Sequence, residues 1–287
     1  MEFIHNCPVQ KRERKKLTIM IKKIKLTSVF TILLTGFGIM FLSGCKGDPE
    51  IKSTTYDLKV TDVLGVSGTV TFTETSATIA TIDIALVGAP AGTHPAVLCM
   101  NSAVEGGLVK VTLNPVDATG KSSTVVNSMT YSQLIVFDGF VKVVKSDTES
   151  DIILAQGDIG GNVITKINKS YPLTTMNNFG VSGTALFEKR VNGNTLLTIT
   201  LAGTIAGDIY PATINLGSIA TVGGGPIVET LQPVNGTTGK SYTNLTSLDS
   251  GLAITYDNWL VYDGYINVYQ VTISSGVIIC HGNIGSN

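Results

Sequence analysis

The residues of this sequence with the greatest chemical reach are four cysteines, three histidines and two Gly-Lys-Ser triplets. One cysteine stands in a pattern with a defined chemistry. Leu26 to Leu42 reads LTSVFTILLTGFGIMFL, an uncharged apolar run that ends in Leu42-Ser43-Gly44-Cys45. Eight of the 20 basic residues fall in the first 44 positions, against Glu2 and Glu13 alone. A basic segment, an apolar stretch and small residues before a cysteine make an export signal closed by a bacterial lipobox. In that chemistry the Cys45 thiol receives a diacylglycerol and the chain is cut between Gly44 and Cys45. The apolar run is short of the ~20 residues that cross a bilayer as a helix, which argues against an uncleaved anchor. Residues 1–44 are therefore read as a signal segment, with Met20 the more natural start because Ile21-Lys22-Lys23 follows it.

The histidines offer less. Beyond the signal segment only His94 and His281 remain, and Ser-His-Asp catalysis or a copper centre needs converging groups that two separated histidines do not supply. His94 with Cys99 could hold a metal; the plainer expectation is a loop histidine and a buried thiol. Cys99 and Cys280 lie in different halves of the chain and are expected as two buried thiols rather than a bridge. Thr119-Gly120-Lys121-Ser122 and Thr238-Gly239-Lys240-Ser241 invite a phosphate-loop reading. That motif needs a glycine five residues before the Gly-Lys pair and a helix after it. Neither copy has that glycine, Pro115 standing at its place in the first and Val234 in the second, so polar hairpins are expected instead. Asp138 and Asp263 each precede a glycine, with no second acid placed alike in both halves. No catalytic, cofactor-binding or metal-binding residue is assigned, and no cofactor is expected.

What positions these residues is a duplication. Gly65-Val66-Ser67-Gly68-Thr69 recurs as Gly180-Val181-Ser182-Gly183-Thr184, and His94-Pro95-Ala96 is answered by Tyr210-Pro211-Ala212. Leu113-Asn114-Pro115-Val116 matches Leu231-Gln232-Pro233-Val234, and Thr130-Tyr131 with Phe137-Asp138-Gly139 matches Thr255-Tyr256 with Tyr262-Asp263-Gly264. Gln156-Gly157-Asp158-Ile159-Gly160 closes the first unit as His281-Gly282-Asn283-Ile284-Gly285 closes the second, so His281 takes the place of a neutral glutamine. Extra residues in the second copy fall near Gly223-Gly224-Gly225 and Leu248 to Gly251. Short alternating runs such as Thr69 to Thr73, punctuated by Gly, Pro, Asn and Asp, predict seven or eight strands per unit. Asn192-Gly193 between two such runs reads as a tight hairpin turn. The fold class is all-β: two tandem immunoglobulin-like or superoxide-dismutase-like Greek-key sandwich or barrel domains after the signal segment. Residues 45–54 form a lipidated tether, 55–165 the first domain and 166–287 the second.

The ordered set of Gly-x-x-Gly strand, Gly92-Thr93-His94-Pro95-Ala96, Leu113-Asn114-Pro115-Val116-Asp117, Tyr131 with Phe137-Asp138-Gly139 and Gly157-Asp158-Ile159-Gly160 resembles the CHRD domain, named for chordin and common in bacterial secreted proteins. It covers about Tyr56 to Asn162 and again Tyr171 to Asn287. The resemblance implies an immunoglobulin-like β-barrel with limited similarity to copper-zinc superoxide dismutase and no settled activity. Members of that family often carry His-x-His after the Pro-Ala; here Val97 and Cys99, and Thr213 and Asn215, stand in those places.

Composition fits an exported β-protein. Charged residues make up 14% of the chain, well below the ~25% of an average soluble protein. Without residues 1–44, 12 basic face 19 acidic side chains, a net charge of −7. An acidic chain does not suit nucleic acid and binds anionic lipid poorly by charge alone. The expectation is a non-catalytic, lipid-anchored module of the bacterial cell envelope, at the outer membrane or cell surface. Its partners would be the membrane, through Cys45, and an unidentified protein or glycan met by aromatic loops bearing Tyr210, Tyr242, Trp259 or Tyr262, with core packing the alternative for these rings and the favoured one for Trp259. The competing class is a metal-binding or dismutase-related enzyme with a degenerate site.

Overall fold

A computed structural model describes residues 51–176, 178–270, 273 and 276–287. Residues 1–50, which take in the expected signal segment, Gly44, Cys45 and the first part of the expected tether, lie outside the described residues. The first unit holds β1 (Ser53–Val60), β2 (Ser67–Glu74), β3 (Ala80–Val87), β4 (His94–Met100), β5 (Val109–Val116), β6 (Lys121–Val126), the one-turn helix α1 (Tyr131–Leu134), β7 (Gly139–Val144) and β8 (Ile153–Ile159). A 3-10 turn at Gly160–Asn162 leads into the second unit. There follow β9 (Ile164–Thr175), β10 (Ser182–Arg190), β11 (Thr195–Ala202), β12 (Ile209–Leu216), β13 (Ile227–Asn235), β14 (Lys240–Leu245), the one-turn helix α2 (Tyr256–Trp259), β15 (Asp263–Tyr269) and β16 (Ile278–Gly285). Among the described residues no helix is long and apolar enough to cross a membrane.

The two units share one antiparallel topology. The first sheet runs β5-β4-β7-β8-β1-β2-β3-β6, and the second runs β13-β12-β15-β16-β9-β10-β11-β14 and closes into a barrel. Each order contains two interlocked Greek keys, because β4 and β7 are neighbours, as are β3 and β6. The second barrel closes through Asn235 opposite Lys240. At the same place in the first, the Asp117 N–H donates to the Lys121 carbonyl at 2.9 Å, and beyond that hairpin β5 and β6 are bridged by side chains, with Thr124 Oγ1 accepting the Asn114 N–H at 2.7 Å. The fold class read from the sequence is thus observed: an all-β chain with two tandem eight-stranded barrel-like domains.

Alternation builds both cores. In β3 the burial of Ala80, Ile82, Ile84 and Leu86 alternates with Thr81, Asp83 and Ala85, the period of two that puts one face of a strand inside. Each such aliphatic side chain contributes roughly 1.5–3 kcal/mol on burial. The duplicated Thr-Tyr motif becomes a plug at one end of each barrel. Thr130 and Thr255 cap one helical turn and exchange hydrogen bonds with Gln133 and Asn258, a reciprocal capping box. The turn drives Leu134 into the first core and Trp259 into the second, at 0% and 1% exposure. Trp259 stacks at 6.1 Å from Phe187 and 4.9 Å from Tyr262, so the second barrel is plugged by aromatic rings where the first uses leucine.

The paired glycines of Gly-Val-Ser-Gly-Thr have a steric cause. A Cβ on Gly68 would collide with the Ala85 carbonyl, and one on Gly183 with that of Thr200, across the β2–β3 and β10–β11 pairs. The expected hairpin at Asn192-Gly193 is present: Gly193 has φ +87°, and the Arg190 N–H donates to the Asn194 carbonyl at 2.9 Å.

Candidate functional site

The structure moves His94 from loop to core. It is the first residue of β4 and 2% exposed. Its Nδ1 lies 2.7 Å from the Lys145 carbonyl and its Nε2 2.9 Å from that of Pro90. The expectation of a loop histidine is therefore corrected. Both ring nitrogens are engaged with backbone, and the imidazole ties the β3–β4 loop to the β7–β8 loop. Tyr210 does comparable work in the second barrel. Its hydroxyl accepts from the Ile205 N–H at 2.9 Å and donates to Asp208 Oδ2 at 3.3 Å. His-Pro-Ala and Tyr-Pro-Ala are thus two solutions to pinning one loop.

Cys99 and Cys280 are free, buried and in different barrels, and burial raises both thiols, that of Cys280 to about 12. His281 sits half-buried opposite Asn267 and Thr174, and burial lowers its pKa, which favours neutral imidazole. Among the described residues no group of three or more His, Cys, Asp and Glu gathers as a metal site. Where the resemblance would place His-x-His, the Thr213 hydroxyl donates to Asn215 Oδ1 at 2.7 Å and Asn215 Nδ2 donates to the Gly225 carbonyl at 2.9 Å.

The Gly-Lys-Ser triplets are hairpins. Asp117 Oδ1 accepts from the Thr119 hydroxyl and N–H and from the Lys121 N–H, and those bonds lower the Asp117 pKa. Asn235 plays that part in the second copy, accepting from Thr237 and Thr238. Gly120 (φ +78°) and Gly239 (φ +65°) press against β3 and β11, where a Cβ would strike the carbonyls of Leu86 and Leu201. Asp138 and Asp263 also serve structure, accepting side-chain amides from Asn192 at 3.1 Å and Asn287 at 3.0 Å.

The feature that residue-by-residue reading missed lies where the two barrels meet. Arg190, the last residue of β10, is fully buried. Its Nη1 donates to Asp158 Oδ2 of β8 at 2.9 Å and also to the Asn162 carbonyl. Its Nε and Nη2 have no partner. Asp158 Oδ1 accepts the Ala103 N–H at 2.7 Å, just as Asn283 in the second copy accepts that of Ile219 at 2.8 Å. The aspartate therefore keeps the loop contact both copies share and adds a charge that meets Arg190. The β10–β11 hairpin completes the junction, its Val191 and Asn192 N–H groups donating to the carbonyls of Val163 and Gly161. A third tie joins Asn244 Nδ2 to Glu105 Oε2 at 3.1 Å. A sequence signal was present. Position 158 is acidic in one copy and amide in the other, and Thr75 stands in the first copy where Arg190 stands in the second.

Beside this junction lies a cleft of about 640 Å³ with walls from both barrels. Thr55, Asp57 and Lys59, alternate residues of β1, line one side with Gln156 of β8. Glu188, Leu196 and Tyr242 line the other. Of the four aromatics weighed as contact residues, Trp259 is core as favoured, Tyr210 is core as well, Tyr262 packs on Trp259, and Tyr242 is exposed at 41% on the cleft wall.

A carboxyl pair stands apart on the second barrel. Glu229 of β13 lies beside Asp249, which accepts from the Thr230 hydroxyl at 2.8 Å. Burial first, then the neighbouring Asp249 charge, raises Glu229 to about 7. Asp249 fastens the Leu248 to Gly251 insertion to the barrel wall, its side chain bound by Thr230 and its N–H donating to the Val228 carbonyl at 3.1 Å.

Comparison of the chain with protein-family models, with curated proteins and with solved structures finds no match in any of the three.

Proposed function

We propose that the chain is a lipid-anchored, extracytoplasmic, non-catalytic tandem module of the CHRD type that presents a binding surface at the bacterial cell envelope. Anchoring rests on the sequence: the basic segment, the apolar run and Leu42-Ser43-Gly44-Cys45. Acyl chains on one cysteine hold a protein to a bilayer through roughly 0.8 kcal/mol per buried CH₂. The observation that carries the binding reading is the Arg190–Asp158 junction. It joins the barrels by a buried ion pair and two backbone hydrogen bonds, so a cleft with walls from both is held at one spacing. A preformed cleft of a few hundred Å³ is what recognition of a small or extended ligand requires. The residues with catalytic potential are taken up by structure instead: His94 by two carbonyls, and Asp138 and Asp263 by asparagine amides.

The test is metabolic labelling in a bacterial host with an alkyne analogue of palmitate. The wild-type chain is expected to take up label and sediment with membranes, and Cys45→Ser to take up none. Absence of label from the wild type would overturn the anchored reading.

A further inference from the structure

We infer that the cleft between the barrels binds a neutral, hydroxyl-rich ligand, an oligosaccharide segment, with Tyr242 as the stacking surface. This deepens the binding-module reading and rests on it. Five polar side chains on the cleft walls, those of Asp57, Lys59, Gln156, Glu188 and Tyr242, have no hydrogen-bond or ion-pair partner among the described residues. At the junction itself Arg190 is engaged through Nη1 with Asp158 and Asn244 through Nδ2 with Glu105. Unpaired donors and acceptors gathered on facing walls are ready for a ligand's own polar groups.

Their chemistry narrows the ligand. Asp57 and Glu188 accept, Lys59 donates, and Gln156 and Tyr242 do both. The third carboxylate, Asp158, is neutralised by Arg190. A polyanion would meet two free carboxylates, and a polycation would meet Lys59 at the same wall. Mixed sign with a surplus of acceptors suits neutral hydroxyls, which donate to carboxylates and accept from the ammonium and amide. The walls also carry apolar area: Val60 and Val104 are 45% and 43% exposed, and Leu196 lies outside the barrel core yet is buried at the cleft. Apolar area next to a half-exposed tyrosine ring matches the C–H face of a pyranose, with the ring hydroxyl left to bond at the edge. The volume of about 640 Å³ falls in the range of roughly 300–1,000 Å³ usual for ligand sites.

The experiment is calorimetric titration of the full chain in detergent with maltohexaose, cellohexaose, laminarihexaose and xylohexaose, and with hexalysine and a heparin hexasaccharide as charged probes. Binding of at least one neutral hexasaccharide is expected. Tyr242→Ala is expected to weaken it by roughly tenfold or more, and Glu188→Gln by about three- to tenfold. Thermal midpoints should stay at the wild-type value, since Tyr242 is exposed and Glu188 unpaired. Binding of none of the neutral sugars, preference for a charged probe, or a neutral-sugar affinity untouched by Tyr242→Ala would overturn the inference. Acyl labelling of Cys45 is read separately, so failure of the sugar site leaves the anchored reading standing and failure of labelling leaves the sugar result standing.

Discussion

Arg190 of the second barrel lies 2.9 Å from Asp158 of the first, and the arginine has no exposed surface. A buried ion pair adds little net stability against well-packed apolar residues, yet removing one partner strands the other and costs roughly 3–5 kcal/mol. Asp158→Asn is the discriminating change. It preserves an acceptor for the Ala103 N–H, as Asn283 does for Ile219 in the second copy, and removes only the charge facing Arg190. Urea unfolding should show a loss of about 3–5 kcal/mol for Asp158→Asn and recovery to within about 1 kcal/mol in Asp158→Asn/Arg190→Met. An Asp158→Asn chain as stable as wild type would mean that the junction does not depend on the pair.

The barrels and the duplication were legible because they rest on local rules. Period-two alternation in β3 and β11, Asn192-Gly193 at a hairpin and the repeated Gly-Val-Ser-Gly each have a steric or hydrophobic cause within a few residues. The one-turn helices were not read, because a single turn has no periodicity to announce it and its only signal is a cap pair, Thr130 with Gln133 and Thr255 with Asn258. His94 was misplaced because its burial depends on carbonyls at Lys145 and Pro90, one of them 51 residues away. The cleft could not be read at all. Tyr242 and Asp57 are brought together only by the docking of two barrels.

The Gly-Lys-Ser triplets separate a structural role from a phosphate-binding one. Gly120→Ala is expected to destabilise by roughly 1–3 kcal/mol, because φ +78° and the Leu86 carbonyl both oppose a Cβ. Lys121→Ala, at an exposed hairpin, should fall within about 0.5 kcal/mol of wild type by thermal unfolding. ATP or GTP binding abolished by Lys121→Ala or Lys240→Ala would contradict the hairpin assignment.

Glu229 gives the protein a defined pH dependence. Its carboxyl is raised from 4.5 to about 7 in the folded chain, so the folded state holds a proton that the unfolded state has lost over that interval. The stability it contributes is complete below about pH 4.5 and disappears as pH rises through 7. Solvent screening limits the effect to roughly 1 kcal/mol. The thermal midpoint should fall by about 2–4 °C between pH 5 and pH 8. Glu229→Gln should flatten that part of the profile. An unchanged slope in the variant would show that the dependence arises elsewhere.

The thiols should be inert. Cys280 is pushed up to about 12 and Cys99 is buried at 1% exposure, so neither offers thiolate or access near neutral pH. Iodoacetamide at pH 8 followed by peptide mapping should leave Cys99 and Cys280 unmodified in the native chain and modify both in 6 M guanidinium. Rapid native labelling of Cys280 would contradict its place in the second core.

The most direct test of the central claim is the intact mass of the chain purified from bacterial membranes. The account predicts an amino terminus at Cys45 bearing a diacylglycerol and an amide-linked acyl chain, with residues 1–44 gone. A chain that retains those residues, or begins elsewhere with an unmodified Cys45, would contradict it.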